Sequence, residues 1–204
     1  MNIFDRYYKR YDSWYEKNKF AYLSELGAIR KVLPNEGNGL EIGVGTGRFA
    51  AALGIQTGID PSKNMIKIAR KRGIDARLGF GESLPFKDSV FNYVLIIVTL
   101  CFAKNPRKVL KEAKRVLKNN GKIIIGIVDK DSFLGRFYRK KKSIFYEKAH
   151  FFTVKDVVDL LKASGFDRVA TLQTLFNLPA NMKSVHKVRK GFGKGGFVII
   201  TAQK

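Results

Sequence analysis

A single cysteine, Cys101, leaves no partner for an internal disulfide. It also excludes a cysteine-cluster zinc site and any mechanism that needs several thiols. No apolar run reaches the ~18 residues that a membrane-spanning helix requires. The opening stretch, MNIFDRYYKRYDSWYEKNK, is aromatic and charged where a secretion signal would be apolar. These absences predict a soluble, reduced, cytoplasmic protein with no membrane partner. Acids are also scarce: 17 Asp and Glu stand against 39 Lys and Arg, a formal net charge of +22. Such an excess suits a phosphate-rich partner held by counterion release. It suits equally a compositional bias, because 26 Lys outnumber 13 Arg, and readers of nucleic acids lean on the bidentate arginine fork.

The apolar share of 45% is ample for a core in a chain of 204 residues, the size of one domain. Residues 3–33 read as helical, rich in rings, with Pro34 as the stop. Strand and helix signals then alternate from about residue 39 to 128. GLEIG, QTGID and DARLG read as short strands, and FNYVLIIVTL and KIIIGIVD as buried ones. Between them, GRFAAAL, PSKNMIKIARKRG and NPRKVLKEAKRVLKNNG carry helical periodicity. This alternation predicts a parallel sheet covered by helices on both faces. Beyond Asp129, FLGRFYRKKKS reads as a helix with a basic end. FTVKDVVDLLKASGF reads as a helix capped by Thr153, with Asp156 completing a capping box and Gly165 closing it. RVATLQTLF and GFVIITAQK follow as an antiparallel hairpin, joined by a stretch with five bases and no acid. The expectation is a single domain over 1–204, divided into a helical cap (1–37), a core (38–128) and substrate-side helices with an edge hairpin (129–204).

The sharpest local feature is GLEIGVGTGRFAAALGIQTGIDPS, residues 39–62. A glycine-rich turn between a first strand and a helix lets a ligand approach the backbone. In a parallel sheet that turn lies where ligands bind. The order Gly43, Val44, Gly45, Thr46, Gly47 brings the third glycine one position earlier than a dinucleotide fingerprint does. Glu41, just before the turn, would repel a pyrophosphate and suits a cationic ligand. Asp60 ends the second strand; DPS also allows it to cap the following helix.

LEIGVGTGRFA resembles motif I of the class I S-adenosylmethionine-dependent methyltransferases. The resemblance continues in order through TGIDPSKNMIKIARKRG, GFGESLPFKDSVFNYVLIIVTLCF and VLKEAKRVLKNNGKIIIGI, roughly residues 38–128. It is greatest to the type 11 branch, which includes quinone-biosynthesis methyltransferases. HFFTVKDVVDLLKASGF is similar to that branch's helix beyond the core. The resemblance implies a Rossmann-like, doubly wound, mostly parallel seven-stranded sheet of order 3-2-1-4-5-7-6 with the last strand antiparallel. It implies S-adenosylmethionine as cofactor. Glu41 would face the ammonium end, directly or through water and backbone. Gly43, Val44, Gly45 and Gly47 would let the methionine part lie on the backbone. Asp60 would take the ribose hydroxyls, and Pro61 and Met65 would pack on adenine. Phe80 stands where the family often has an acid, so Gly81, Glu82 and Ser83 are the candidates for reading adenine. Asn92 replaces the usual Asp before the fourth strand, at a position that is mainly structural in the family. Thr99 would touch the methionine moiety.

A general base is needed only if the acceptor arrives protonated. His150 and Tyr11 are the candidates, each with a packing role as the plainer alternative. His186 lies in the basic connection and is expected to be solvated. Cys101 follows Leu100 where a cytosine-C5 methylase would have proline, and is expected to be a packed thiol. The amino-methylase signature is absent at the fourth strand's end, where VTLC stands. Two acceptor classes remain: a small molecule, or RNA or another nucleic acid held by Lys140, Lys141, Lys142, Lys187, Arg189, Lys190 and Lys194.

Overall fold

The computed structural model describes residues 3–141 and 143–204. Its strands are β1 (Gly39–Ile42), β2 (Thr57–Asp60), β3 (Asp75–Leu78), β4 (Phe91–Ile97), β5 (Leu117–Val128), β6 (Asp167–Thr174), β7 (Arg189–Lys190) and β8 (Phe197–Gln203). They form one sheet in the order β3-β2-β1-β4-β5-β8-β6-β7. β1 to β5 run parallel, and β8 is antiparallel to both β5 and β6. The expected seven strands are therefore corrected to eight. The added strand, β7, is two residues of the basic connection paired with Leu172 and Gln173. Two residues carry no periodicity, so the sequence offers no signal for it. Apart from β7 the order is the expected one: the last strand, β8, lies between β5 and β6 and is antiparallel to both, which leaves β6 and β7 at the edge.

The helices are α1 (Ile3–Arg6), α2 (Tyr8–Lys17), α3 (Lys19–Arg30), α4 (Arg48–Leu53), α5 (Lys63–Lys71), α6 (Pro106–Val116), α7 (Phe133–Lys140) and α8 (Val154–Ala163). Residues 3–30 are helical, as expected, in three segments interrupted at Tyr7 and Asn18. At Asn18 the backbone leaves helical dihedrals (φ −119°, ψ 44°), and the side-chain amide joins the backbone N–H in donating to the Trp14 carbonyl, each at 2.9 Å. None of these helices is long and apolar enough to cross a membrane.

The continuous apolar strands are explained by burial on both faces. Along β4, Tyr93, Leu95 and Ile97 pack with α3, α4, α5 and α7, whereas Val94 and Ile96 pack with α6 and α8. β5 and β8 alternate the same way, Ile124 and Ile199 to the first side, Ile125 and Ile200 to the second. The predicted capping box forms in full: Thr153 Oγ1 accepts from Asp156 N at 3.0 Å, and the Asp156 carboxylate accepts from Thr153 N at 2.8 Å.

Two carboxylates fix the N-terminal helices over the carboxyl ends of the strands. Asp5 of α1 accepts from Ser62 Oγ at 2.7 Å and Asn64 N at 2.9 Å. Asp12 of α2 accepts from Thr46 Oγ1 (2.6 Å), from Arg48 Nε and Nη2 (2.9 and 2.8 Å) and from Arg72 Nη1 and Nη2 (3.1 and 3.0 Å). Burial alone would raise the Asp12 carboxyl; the two guanidinium groups and the Thr46 hydroxyl hold it well below the usual carboxylate range. Asp12→Ala leaves Arg72 without its carboxylate and Arg48 with only the exposed Glu16. It is expected to cost about 2 kcal/mol, less than a fully buried pair because the site keeps some contact with water. Denaturant unfolding checks this, and an unchanged midpoint would show that the clamp does not hold the cap.

Candidate cofactor and acceptor site

A cavity of about 660 Å³ opens at the carboxyl ends of β1, β2 and β4, under α1 and α2. That lies within the ~300–1,000 Å³ usual for ligand pockets. Gly43 and Gly45 form its floor, Asp60, Pro61 and Met65 one wall, Gly81 and Glu82 another, and Thr99, two residues beyond β4, also lines it.

The bend after β1 is built by tight contacts. Gly43 has φ +75°, and a Cβ there would lie 2.2 Å from the Thr99 side chain, so only glycine fits. At Gly47, with φ +79°, a Cβ would meet the Ala69 backbone at 3.1 Å, and its lack lets α5 approach. Asp60 ties the bend to β2: Oδ2 accepts from Gly45 N and Oδ1 from Ser62 N, each at 2.9 Å. The cap of α5 is Ser62, whose Oγ accepts from Met65 N at 3.1 Å. Asp60 is thereby free of the capping role; it lines the cavity, and each carboxylate oxygen has capacity for a further hydrogen bond. Burial pushes its carboxyl up to about 6, against the two backbone N–H groups that favour the charged form.

Glu41 lies behind the floor, 2% exposed. Its Oε2 is buried without a hydrogen-bond partner, and burial pushes the carboxyl up to about 8. A buried carboxyl oxygen with nothing to accept from is a group awaiting a partner. A glycine cradle, an acid with free lone pairs and an orphaned carboxyl oxygen suit a sulfonium nucleoside that ends in an ammonium.

The remaining predicted residues are distributed as follows. Val44 packs beside Gly58, and Gly47 against α5, both outside the cavity lining. Ser83 also stands outside it, in a tight turn where its N–H donates to Phe80 O at 3.1 Å. Glu82 reaches the cavity, but its Oε1 already accepts from Lys104 N at 2.9 Å. The Thr99 hydroxyl donates to Ile97 O at 2.9 Å. Tyr11 lines the cavity and shares a 2.9 Å hydrogen bond with the Tyr15 hydroxyl; burial raises its phenol above the ordinary value. His150 is exposed and away from the cavity, its ring edge-on to Phe152 at 4.7 Å. His186 is not solvated as expected. Its Nδ1 accepts from Phe176 N at 3.0 Å and its N–H donates to Ser24 Oγ at 2.8 Å, which pins the basic connection to α3. Burial pushes the Cys101 thiol up to about 12, in keeping with a packed group.

The aromatic segment 4–22, a candidate lid by its rings, contributes Phe4, Tyr7 and Tyr11 to the cavity's roof. Phe4 meets Phe102 edge-on at 4.8 Å and stacks on Phe145 at 5.5 Å. Arg6 and Lys148 stand at the cavity with them. The ring stripe of residues 4–22 was the available signal for Phe4 and Tyr7, but core packing explains such a stripe equally well. Phe145 had none.

A glycine bend after the first strand, answered by an acid ending the second, defines an α/β protein that takes a nucleoside cofactor at its topological switch point. Comparison with known proteins gives the family. A family model described as a methyltransferase domain, of type 11, matches residues 40–125. A solved structure from Thermotoga maritima, described as a SAM-dependent methyltransferase and possible histamine N-methyltransferase, superposes with a TM-score of 0.97 at 47% identity, covering 99% of this chain and 98% of that one. An uncharacterized protein of Methanocaldococcus jannaschii is 50% identical over 206 residues, 100% of both chains. The demethylmenaquinone methyltransferase of Thermotoga maritima is 30% identical over 138 residues, 61% of this chain and 59% of that one. The chain belongs to the class I S-adenosylmethionine-dependent methyltransferases, in the type 11 branch, and is an enzyme that uses S-adenosylmethionine.

Proposed function

We propose that the enzyme methylates a small-molecule acceptor by in-line displacement. The observation that carries this reading is the roof: Phe4, Phe102 and Phe145, with Tyr7 and Tyr11, line the same cavity as Thr99 and give it an aromatic ceiling suited to an apolar or aromatic group. Two relatives have names that specify small acceptors, a demethylmenaquinone and, as a possibility, histamine. The bound cofactor supplies the activated methyl group. The protein's part is placement, since in-line displacement gains chiefly from holding the nucleophile on the sulfur–methyl axis. Gly43 and Gly45 would seat the methionine portion and Glu41 its ammonium, through backbone or water. Asp60 would hold the ribose, and Pro61, Met65, Gly81 and Glu82 the adenine. Val44, Gly47 and Ser83 would shape that seat from behind. Tyr11 is the better placed of the two candidates for contact with the reacting groups, because it alone of Tyr11 and His150 lines the cavity.

The cations that a nucleic acid would use stand elsewhere. Lys140, Lys141, Lys187, Arg189, Lys190 and Lys194 are all outside the cavity lining; Lys142, grouped with them by sequence, lies outside the described residues. The Arg189 guanidinium covers the Phe176 ring at 4.5 Å. Transfer of labelled methyl groups into fractionated cell extract tests the proposal. Label in the low-molecular-weight fraction, insensitive to ribonuclease, is the expected result. Label confined to RNA, with binding that weakens steeply as salt rises, would overturn it in favour of the nucleic-acid reading.

A further inference from the structure

The roof of the main cavity sorts its charges. It is built from α1 and α2 and from the stretch between α7 and α8. Among the described residues, the charged side chains that these segments place at the cavity are both cations, Arg6 and Lys148. Their acids Asp5, Asp12 and Glu147 lie outside the lining. Asp5 is engaged by Ser62 and Asn64, Asp12 by Arg48 and Arg72, and Glu147 is exposed. Arg6 and Lys148 both adjoin the Phe145 ring system. The Arg6 guanidinium lies over the Tyr7 ring, 5.3 Å from its centroid, and Tyr7 meets Phe145 edge-on at 6.5 Å. Lys148 follows Phe145 by three residues and lines the same cavity. Among the described residues neither cation forms an ion pair. The two acids of the lining belong to the walls and are already occupied: Asp60 by Gly45 N and Ser62 N, Glu82 by Lys104 N and Asn105 N at 2.9 and 3.3 Å.

On an open surface, water and salt would screen such cations within about 8 Å. At the mouth of a cavity with aromatic walls the field is focused instead, and an entering anion meets it in a poorly hydrated space. The Tyr7 face also holds the Arg6 guanidinium in place, so less side-chain freedom is lost when an anion docks. S-adenosylmethionine brings a sulfonium of the same sign to the cavity. A cationic acceptor would therefore meet repulsion from roof and cofactor together, and an anionic one attraction from both.

We propose that Arg6 and Lys148 are specificity-determining residues for the methyl acceptor, and that the acceptor carries an anionic group, a carboxylate or a phosphate, on an apolar or aromatic body. This rests on the small-molecule reading above and names its substrate class. Four probes that share one ring and differ in their end group test it: phenylacetate, phenyl phosphate, 2-phenylethanol and phenethylamine, titrated by calorimetry into protein saturated with S-adenosylhomocysteine. The better of the two anions is expected to bind at least ~10-fold more tightly than the alcohol, with the amine weakest. Which anion leads says whether the acceptor's group is a carboxylate or a phosphate. The preference should shrink as salt rises. Arg6→Gln and Lys148→Gln should each weaken the better anion by ~3–10-fold, and the double variant should lose the preference. Lys148→Glu should turn it toward the amine. Both residues are exposed, so folding should be intact, which circular dichroism verifies. Affinities for S-adenosylhomocysteine and for 5′-methylthioadenosine, which lacks the amino-acid end, should stay within about two-fold in R6Q and K148Q. A variant that loses S-adenosylhomocysteine but keeps methylthioadenosine would place its cation on the cofactor's carboxylate and overturn the proposal. So would failure of both anions to bind, equal or tighter binding of the alcohol or the amine, or an unchanged preference in the double variant. All of these leave the small-molecule reading standing, because that reading falls on label confined to RNA. Failure of S-adenosylhomocysteine to bind the wild type would instead bring down the underlying cofactor site.

Discussion

Asp60→Ala is expected to lower the affinity for S-adenosylhomocysteine by about 100-fold, or ~2.7 kcal/mol. Two losses combine. A ribose diol that donates to a desolvated carboxylate contributes ~1.5–3 kcal/mol per charge-assisted bond. The same carboxylate also accepts from Gly45 N and Ser62 N, so its removal loosens the bend that seats the methionine portion. Asp60→Asn separates these effects. An amide oxygen keeps one backbone bond but cannot accept from both hydroxyls, so an intermediate loss of ~10-fold is expected. Calorimetry on the three proteins, with circular dichroism to verify folding, gives the answer. Equal affinity in all three would remove Asp60 from the site.

Glu41→Gln should do two opposite things: stabilise the ligand-free enzyme at pH 8 and weaken cofactor binding. The folded-state carboxyl is raised from 4.5 to about 8 by burial, with the Ala50 N–H opposing and the Asp60 charge reinforcing. Unfolding releases that proton above pH 4.5, so this group's contribution to stability is intact below that point. It falls as pH rises and levels off near 8. Glutamine, neutral at every pH, removes the slope. The gross gain at pH 8 is a few kcal/mol at ~1.4 kcal/mol per pH unit. An unpaired amide offsets about 1–3 kcal/mol of it, which leaves a net gain of about 1–4 kcal/mol. At pH 5 the gain should vanish or reverse. Because Glu25 is also raised to about 8 by burial, wild type and E41Q will both retain some slope, and only their difference isolates Glu41. The ligand's ammonium would ionise Glu41 on binding, so E41Q should lose affinity for S-adenosylhomocysteine by roughly 10-fold. Parallel stability curves from pH 5 to 8 would show that Glu41 ionises as it does in water.

Much of this architecture can be read in the chain because local chemistry and tertiary packing agree there. Continuous apolar runs such as Ile123–Ile127 tell of burial on both sheet faces, and the capping box at Thr153 and Asp156 forms as written. The glycine bend was legible because positive φ and close approach leave few residue choices. What escaped lacked a local signal or depended on distant partners. The break at Asn18 is a change of backbone dihedrals that no Pro or Gly announces. β7 exists only because β6 offers an edge. The Asp12 clamp gathers Thr46, Arg48 and Arg72 across 60 residues of chain, with no motif to announce it. Phe102 and Phe145, which complete the roof that segment 4–22 begins, went unread for a related reason: a single ring looks the same in sequence whether it faces solvent, core or ligand.

The most direct test is a crystal structure with S-adenosylhomocysteine bound. It should show both ribose hydroxyls within hydrogen-bond distance of the Asp60 carboxylate, adenine against Pro61 and Met65, and the sulfur beside Thr99 under the Phe4 roof. A nucleoside bound elsewhere, or one whose ribose leaves Asp60 untouched, would contradict the site described.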